Sequence, residues 1–257
     1  MKCVIFAGGK GTRLRTYDDM MPKPLVTIGG TPIILHIINI YNYYGIKDFI
    51  ICLGYGQEHF KKYFVDLINK NSDIKISFKN REVKPLNESL FDVNISLIDT
   101  GLDTQTGGRL KRIEKYLEDD NEFLLTYGDA VSDIDINELI KYHHEKNKLI
   151  TITSIKKKEN FGIIKLTENN TIEKFNEKSE NDSKLINAGF MVVNKKVLDI
   201  LNENSGPFEK EVLEKFSKLN EVCAYVHKGF WQCMDYQNER EYLNKLINDN
   251  EAPWIKW

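Results

Sequence analysis

Lys2-Cys3-Val4-Ile5-Phe6-Ala7-Gly8-Gly9-Lys10-Gly11-Thr12-Arg13-Leu14 decides the fold, because an apolar run passes straight into a glycine-rich, basic turn. Residues 2–7 read as a buried strand, in which β-branched and aromatic side chains follow one another without polar alternation. After Ala7 come Gly8, Gly9 and Gly11, which permit tight backbone and let successive N–H groups line a concave anion site. Arg13 adds a forked phosphate donor beside Thr12. The spacing matches neither the GxxxxGK[ST] of a P-loop nor the GxGxxG of a dinucleotide turn. A tight strand-to-helix turn without a ligand is the plain alternative.

Outward from this stretch, short β-rich runs alternate with helical ones. Strands are predicted at 48–53, 74–78, 95–98, 122–126 and 149–154, and helices at 31–45, 57–69, 106–118 and 135–146. The first helix carries Thr31 as a candidate N-cap, Pro32 at its first position and Gly45 as its stop. Its apolar stripe is Ile33, Ile34, Ile37, Ile38 and Tyr41. Alternation of this kind builds βαβ units and a mainly parallel sheet covered on both faces. Ligands then gather at the carboxyl ends of the strands, here the loops after residues 7, 53, 98 and 126. From about residue 155 the pattern shifts to short strands (161–166, 171–176, 186–193), helices 195–203 and 209–218, strand 222–227 and a closing helix 237–248. The expectation is one domain, 1–257, with a nucleotide-binding core over 1–154 and a smaller α+β elaboration over 155–257. Residues 79–94 show no periodicity and suit an excursion or an oligomer contact.

Composition sets the class. The 257 residues are 41% hydrophobic and 29% charged, which is ordinary for a globular protein. A net charge of −2 gives no general pull toward nucleic acid or an anionic membrane, so any polyanion site is built locally. Cys3, Cys52, Cys223 and Cys233 form no CxxC pair and no metal-ligand spacing. The apolar stretch 3–7 is too short for a signal peptide, and no window approaches a membrane span. A reducing cytoplasm is the expected address.

Four further segments carry chemistry. In Pro22-Lys23-Pro24-Leu25 the flanking prolines hold Lys23 extended, which lowers the entropy lost on gripping a phosphate; alone it would read as a solvated lysine. In Thr126-Tyr127-Gly128-Asp129 a carboxylate follows a parallel strand after a glycine that admits substrate, a place suited to Mg²⁺ beside a phosphate chain. Magnesium takes one or two protein carboxylates plus phosphate oxygens, so a second acid is expected. Asp235 is the candidate, with a capping role for the last helix as its other reading. Thr104-Gln105-Thr106-Gly107-Gly108-Arg109-Leu110 joins a strand to a helix; Arg109 could donate to a base carbonyl, or the segment could be a capping turn. Glu177-Lys178 and Asn187-Ala188-Gly189-Phe190 read on their own as ordinary surface and strand.

Together these segments resemble the sugar-nucleotidyltransferase family, whose GGxGTRL…PKP pattern stands here as Gly8–Leu14 and Pro22–Pro24. The resemblance covers essentially the whole chain. It narrows to the branch that cytidylylates glucose 1-phosphate through Asp99-Thr100-Gly101, Asp103-Thr104, Thr106–Arg112, Thr126–Asp129, Gly229–Gln232 and Ala252-Pro253-Trp254. It implies a Rossmann-like mixed, mainly parallel sheet flanked by helices, of the nucleotide-diphospho-sugar transferase type. It also implies an enzyme that transfers CMP from CTP to a phosphorylated acceptor, needs Mg²⁺, releases pyrophosphate, serves surface-polysaccharide synthesis and works as a homo-oligomer. By the same resemblance Ala7, Gly8, Gly9, Gly11, Thr12, Gly108 and Gly128 meet the nucleotide, and Arg13 holds the departing phosphates. Lys23 serves the α-phosphate, and Thr104 and Arg109 read the cytosine. Asp129 and Asp235 carry the metal, Lys178 meets the acceptor phosphate, and Tyr127, Glu177 and Asn187 line the acceptor pocket. The chain departs from the family after Lys178, where Ser179–Leu185 and Ala188 replace a glycine- and Trp-bearing segment, around Gly206-Pro207-Phe208, and at Ala130. Glucose 1-phosphate is thus the first acceptor expected, with another sugar phosphate or phosphoglutamine (in capsular phosphoramidate synthesis) as the alternative.

Overall fold

The computed structural model describes the chain except residues 10, 12–20, 71–72, 87–91, 119, 158–162, 167–170 and 177–183. The first half holds β1 (Cys3–Phe6), β2 (Thr27–Ile28), β3 (Thr31–Pro32), α1 (Ile33–Tyr43), β4 (Asp48–Leu53), α2 (Gln57–Lys70), β5 (Ile74–Ser77), β6 (Glu82–Pro85), β7 (Asn94–Asp99) and α3 (Thr106–Ile113). Next come β8 (Glu122–Tyr127), β9 (Ala130–Ser132), α4 (Ile136–Lys146), β10 (Ile150–Lys157), β11 (Ile163–Leu166), β12 (Ile172–Asn176) and β13 (Lys184–Asn194). The chain closes with α5 (Glu214–Lys218), β14 (Val222–His227), β15 (Trp231–Cys233) and α6 (Gln237–Asn248). Among the described residues no helix is long and apolar enough to cross a membrane.

Seven strands form the central sheet in the order β14-β10-β13-β8-β1-β4-β7. The pairs β1–β4, β1–β8, β4–β7 and β10–β14 are parallel, while β13 runs against both β8 and β10. The expected mixed, mainly parallel sheet is present. From β1 the chain winds outward through β4 to β7, then returns to the other flank of β1 as β8. The strand order reverses there, and a crevice opens at the carboxyl ends of β1 and β8.

Two apolar layers hold the sheet, one on each face, as an alternating βα chain demands. Ile5, Ile37, Tyr41, Phe60, Phe190 and Leu243 belong to one. Val4, Leu110, Phe123, Val193, Phe208 and Phe216 belong to the other. Each such side chain, buried completely, contributes about 1.5–3 kcal/mol. Cys3 and Cys52 are fully buried in β1 and β4, as their surroundings predict. Burial pushes the Cys52 thiol up to about 12, which removes it as a nucleophile.

Several boundaries differ from the sequence expectation. Thr31 and Pro32 do not open the first helix: they pair with Thr27 and Ile28 as a short ribbon, and Ile33 starts the helix with its N–H on Val26. Ribbon pairing satisfies the backbone that a threonine cap would have served. Gly45, at φ +84°, does mark the stop. The helix expected at 106–118 tightens into a 3₁₀ turn over Glu114–Leu117, and that expected at 195–203 is a 3₁₀ turn over Lys195–Ile200. The stretch without periodicity contains β6, which pairs with β5 as a hairpin. The second half also does more than elaborate the edge, because β13 and β14 lie in the main sheet and β13 borders β8 directly.

Candidate active site

The site begins with a ribbon too short to be read from sequence. β9 and β15 pair antiparallel, Cys233 facing Ala130, and the Met234 N–H donates to the Asp129 carbonyl at 2.8 Å. Asp129 just precedes one strand of this ribbon and Asp235 just follows the other, so the register itself sets the two acids side by side. The N-cap residue of α6 is Tyr236, which follows Asp235. The Glu239 carboxylate accepts from the Asp235 N–H at 2.6 Å and the Tyr236 N–H at 3.0 Å.

Both carboxylates converge on Lys23. Its ammonium donates to Asp129 Oδ2 at 2.7 Å and to Asp235 Oδ1 at 2.6 Å. The lysine heads a 3₁₀ turn, Lys23–Leu25, in which Pro22 and Pro24 restrict the backbone and the Leu25 N–H returns to the Pro22 carbonyl at 2.8 Å. Burial disfavours the charged amine, but Asp129 and Asp235 outweigh it, so the Lys23 pKa is raised and the group stays protonated. A cation held between two carboxylates, with hard oxygen donors on both sides, is also the environment a magnesium ion accepts. Asp129 and Asp235 could hold such an ion, leaving its remaining positions to phosphate oxygens.

A cleft of about 230 Å³ opens over this triad, lined by Gly9, Gly11, Lys23, Thr106, Tyr127 and Asp129 among others. Its place at the carboxyl ends of β1 and β8 is the crevice where the strand order reverses. Ala7 and Gly128 line it too, and the Gly128 N–H donates to the Phe6 carbonyl at 3.0 Å, which fixes the end of β8 against that of β1.

Arg109 and Gly108, expected at the nucleotide, are engaged within the protein. Arg109 is buried, and Nη1 donates to the Leu53 carbonyl (2.8 Å), Thr100 Oγ1 (2.7 Å) and the Gly101 carbonyl (2.9 Å). Nη2 reaches the Gly8 carbonyl at 3.0 Å. The guanidinium thus ties the glycine turn after β1 to the end of β4 and the loop after β7. Gly8 must be glycine for this, since a Cβ there would lie 2.2 Å from Nη1. The Gly108 N–H goes to the Ser205 carbonyl at 3.2 Å and that of Gly107 to Gly206 at 2.9 Å, so the start of α3 is closed by the 205–206 turn. Thr104 lies in the same loop, its side chain next to Gly101 and Gly108. Thr106, not singled out from sequence, is the residue of this segment that lines the cleft.

Tyr127 donates its hydroxyl to Glu209, a carboxylate that sequence reasoning missed, and Asn187 lies beside that hydroxyl. Tyr127 and Asn187, which the resemblance assigns to the acceptor pocket, are neighbours in the fold. Thr12, Arg13, Glu177 and Lys178 lie outside the described residues.

A cleft where strand order reverses, floored by a lysine and two acids and walled by glycines, defines a nucleotide-dependent transferase. The Nucleotidyl transferase family model matches residues 2–235, so the chain belongs to the nucleotidyl transferase family and is an enzyme of that class. It is 39% identical over 257 residues to the glucose-1-phosphate cytidylyltransferase of Salmonella typhi, covering 100% of both chains. It is 40% identical over 259 residues to a Bacillus subtilis protein named "Probable glucose-1-phosphate cytidylyltransferase", again with 100% of both covered. The crystal structure of HddC from Yersinia pseudotuberculosis complexed with GMP-PN has the same fold, with TM-score 0.68 and 21% identity, covering 96% of this chain and 99% of that one.

Proposed function

We propose that the chain transfers a cytidylyl group from CTP to a phosphorylated acceptor, glucose 1-phosphate, giving CDP-glucose and pyrophosphate. The observation that carries this reading is the Lys23 ammonium bridging Asp129 and Asp235 beneath a glycine-walled cleft. The full-length similarity to glucose-1-phosphate cytidylyltransferases supports the choice of nucleotide and acceptor.

In this mechanism an acceptor phosphate oxygen attacks the α-phosphorus of CTP. The new oxygen–phosphorus bond forms as the bond from the α-phosphorus to the oxygen bridging to the β-phosphate breaks, and pyrophosphate leaves with that electron pair. A phosphate monoester is already anionic near neutral pH, so no general base is needed. Catalysis then rests on orientation and on donors placed where negative charge gathers. Lys23 supplies such a donor for the α-phosphate. The glycine turn, braced from behind by Arg109, offers backbone N–H groups to the phosphate chain. Asp129 and Asp235 would hold the Mg²⁺ that, when bound, neutralises triphosphate charge.

The reading places the reaction in the cytoplasm and in a homo-oligomer. The exposed apolar side chains of the β5–β6 hairpin (Ile76, Phe78 and Val83) support the latter, and a single-chain mass in sedimentation would refute it. Pyrophosphate release with CTP, UTP, ATP and GTP against glucose 1-phosphate, other sugar phosphates and phosphoglutamine tests the chemistry. CTP with glucose 1-phosphate is expected to turn over best. Preference for another nucleotide, or no release with any acceptor, would overturn the reading.

A further inference from the structure

The ring of Tyr127 is confined from several sides. A Cβ on Gly189 would come within 2.6 Å of Tyr127 Cδ2, so the β13 backbone lies directly on the ring. The Phe6 ring is 6.0 Å away, and Asn187, beside the tyrosine hydroxyl, is itself fixed by accepting the Gly189 N–H at 3.0 Å. The hydroxyl proton is directed at Glu209.

Glu209 is delivered just as firmly. The preceding Phe208 is fully buried, 6.5 Å from the Phe6 ring, and its N–H donates to Thr106 Oγ1 at 2.7 Å. From Glu209 the chain runs through a π-helical turn, Glu209–Leu213, closed by the Glu214 N–H on the Glu209 carbonyl. Such turns are rare and recur at functional sites. The Tyr127 hydroxyl donates to the Glu209 carboxylate. One carboxylate oxygen is thereby occupied; among the described residues nothing is bonded to the other. Both Tyr127 and Thr106, the groups that Glu209 and its neighbour touch, line the cleft that holds Asp129.

We propose that Glu209 is a specificity-determining residue for the acceptor, taking a hydrogen bond from a hydroxyl or ammonium group at the acceptor's end remote from its phosphate. A carboxylate only accepts, so it favours acceptors that carry a donor there and disfavours those that present a carboxylate. A site built to receive a donor discriminates strongly against the analogue that lacks it. The inference rests on the cytidylyl-transfer reading above.

The test is pyrophosphate release by the full chain with CTP against glucose 1-phosphate, its deoxy analogues and glucosamine 1-phosphate, for the parent, E209Q and Y127F. E209Q is expected to raise the acceptor KM about tenfold or more, leave the KM for CTP within about twofold, and erase the parent's ranking of acceptors. Loss of a preference for the amino sugar would identify ammonium as the partner; loss of a preference for a hydroxyl over its deoxy analogue would identify that hydroxyl. An unchanged acceptor KM and ranking in an E209Q protein that melts with the parent would overturn the proposal. So would Y127F reproducing the whole effect, since Glu209 would then act only through the tyrosine. Should E209Q not fold, E209D, with its shortened carboxylate, must still shift the ranking. A parent that releases no pyrophosphate with any acceptor overturns the transfer reading itself, a result distinct from the other failures.

Discussion

The Lys23 ammonium bonds to Asp235, 212 positions later in the chain, at 2.6 Å, while its other bond goes to Asp129 at 2.7 Å. An amine so placed is the natural donor to a phosphate arriving over the same carboxylates. Replacing Lys23 by Met, or Asp129 by Asn, should lower kcat by about 10²–10³. Steady-state pyrophosphate release with saturating CTP and acceptor measures this, and near-parental turnover in either variant would exclude the arrangement as the catalytic centre.

Glu239 acts on the same centre from behind, its carboxylate holding the N–H groups of Asp235 and Tyr236 at the start of α6. Glu239→Ala should cost about 1 kcal/mol of stability, the usual worth of a lost cap. By loosening Asp235 it should also reduce activity roughly tenfold or more. Urea denaturation and kcat are read on the same preparation; a loss of stability without loss of activity would detach Glu239 from the site.

Gly8 and Gly9 are adjacent and should differ sharply. A Cβ on Gly8 would fall 2.2 Å from the Arg109 guanidinium, whereas one on Gly9 would meet nothing within 4 Å. Gly8→Ala must displace a buried arginine bonded to four backbone carbonyls, and should cost about 1–3 kcal/mol. Gly9→Ala should stay within about 0.5 kcal/mol. Thermal melts of the two variants decide the point, and equal losses would mean that Arg109 does not brace the loop as described.

Acid should weaken the fold already in the range where an ordinary histidine takes up a proton. His36 and His143 are both buried, and desolvation lowers their pKa values; for His143 the opposing pull of Glu122 is insufficient. Below about 6.5 the unfolded chain then binds protons that the folded chain refuses. Stability therefore falls as pH drops from neutrality through the ordinary histidine value toward the lower folded ones, by at most about 1.4 kcal/mol per pH unit for each group. Urea midpoints at about pH 7.5 and about pH 5.5 should show the decline, and His143→Gln should shallow it. Equal or greater stability at the lower pH would contradict the assignment.

The parts of the fold legible in sequence are those set by local pattern. The unbroken apolar runs of β1, β4 and β8 announced a parallel sheet, and Asp129 stood just past a strand end where such sheets bind ligands. The place of β13 was not legible, because its antiparallel insertion beside β8 depends on partners such as Met191 and Leu125 that meet only in the folded chain. β9 and β15 have three residues each, too few for a period to show, yet their register is what aligns the two acids. Thr31 had the chemistry of a cap, and pairing with Ile28 overrode it.

At the site the limit was different. Arg109 was legible as a donor, but its bonds to the backbone carbonyls of Leu53, Gly101 and Gly8 were not, since those groups meet it only in the folded chain. Gly107 and Gly108 signalled close approach correctly, and the approaching group is the 205–206 turn. Glu209 lies 82 positions from Tyr127 and opens what reads as an ordinary amphipathic helix, so no spacing rule connects them.

The long gap between Lys23 and its second carboxylate also bears on how the protein is made. A chain emerging from the ribosome carries its glycine turn and lysine early, but the centre closes only after residue 235 has been synthesised and the short ribbon has formed. If the proposed centre is the catalytic one, a chain released before residue 235 lacks one of its two acids and does not complete the transfer.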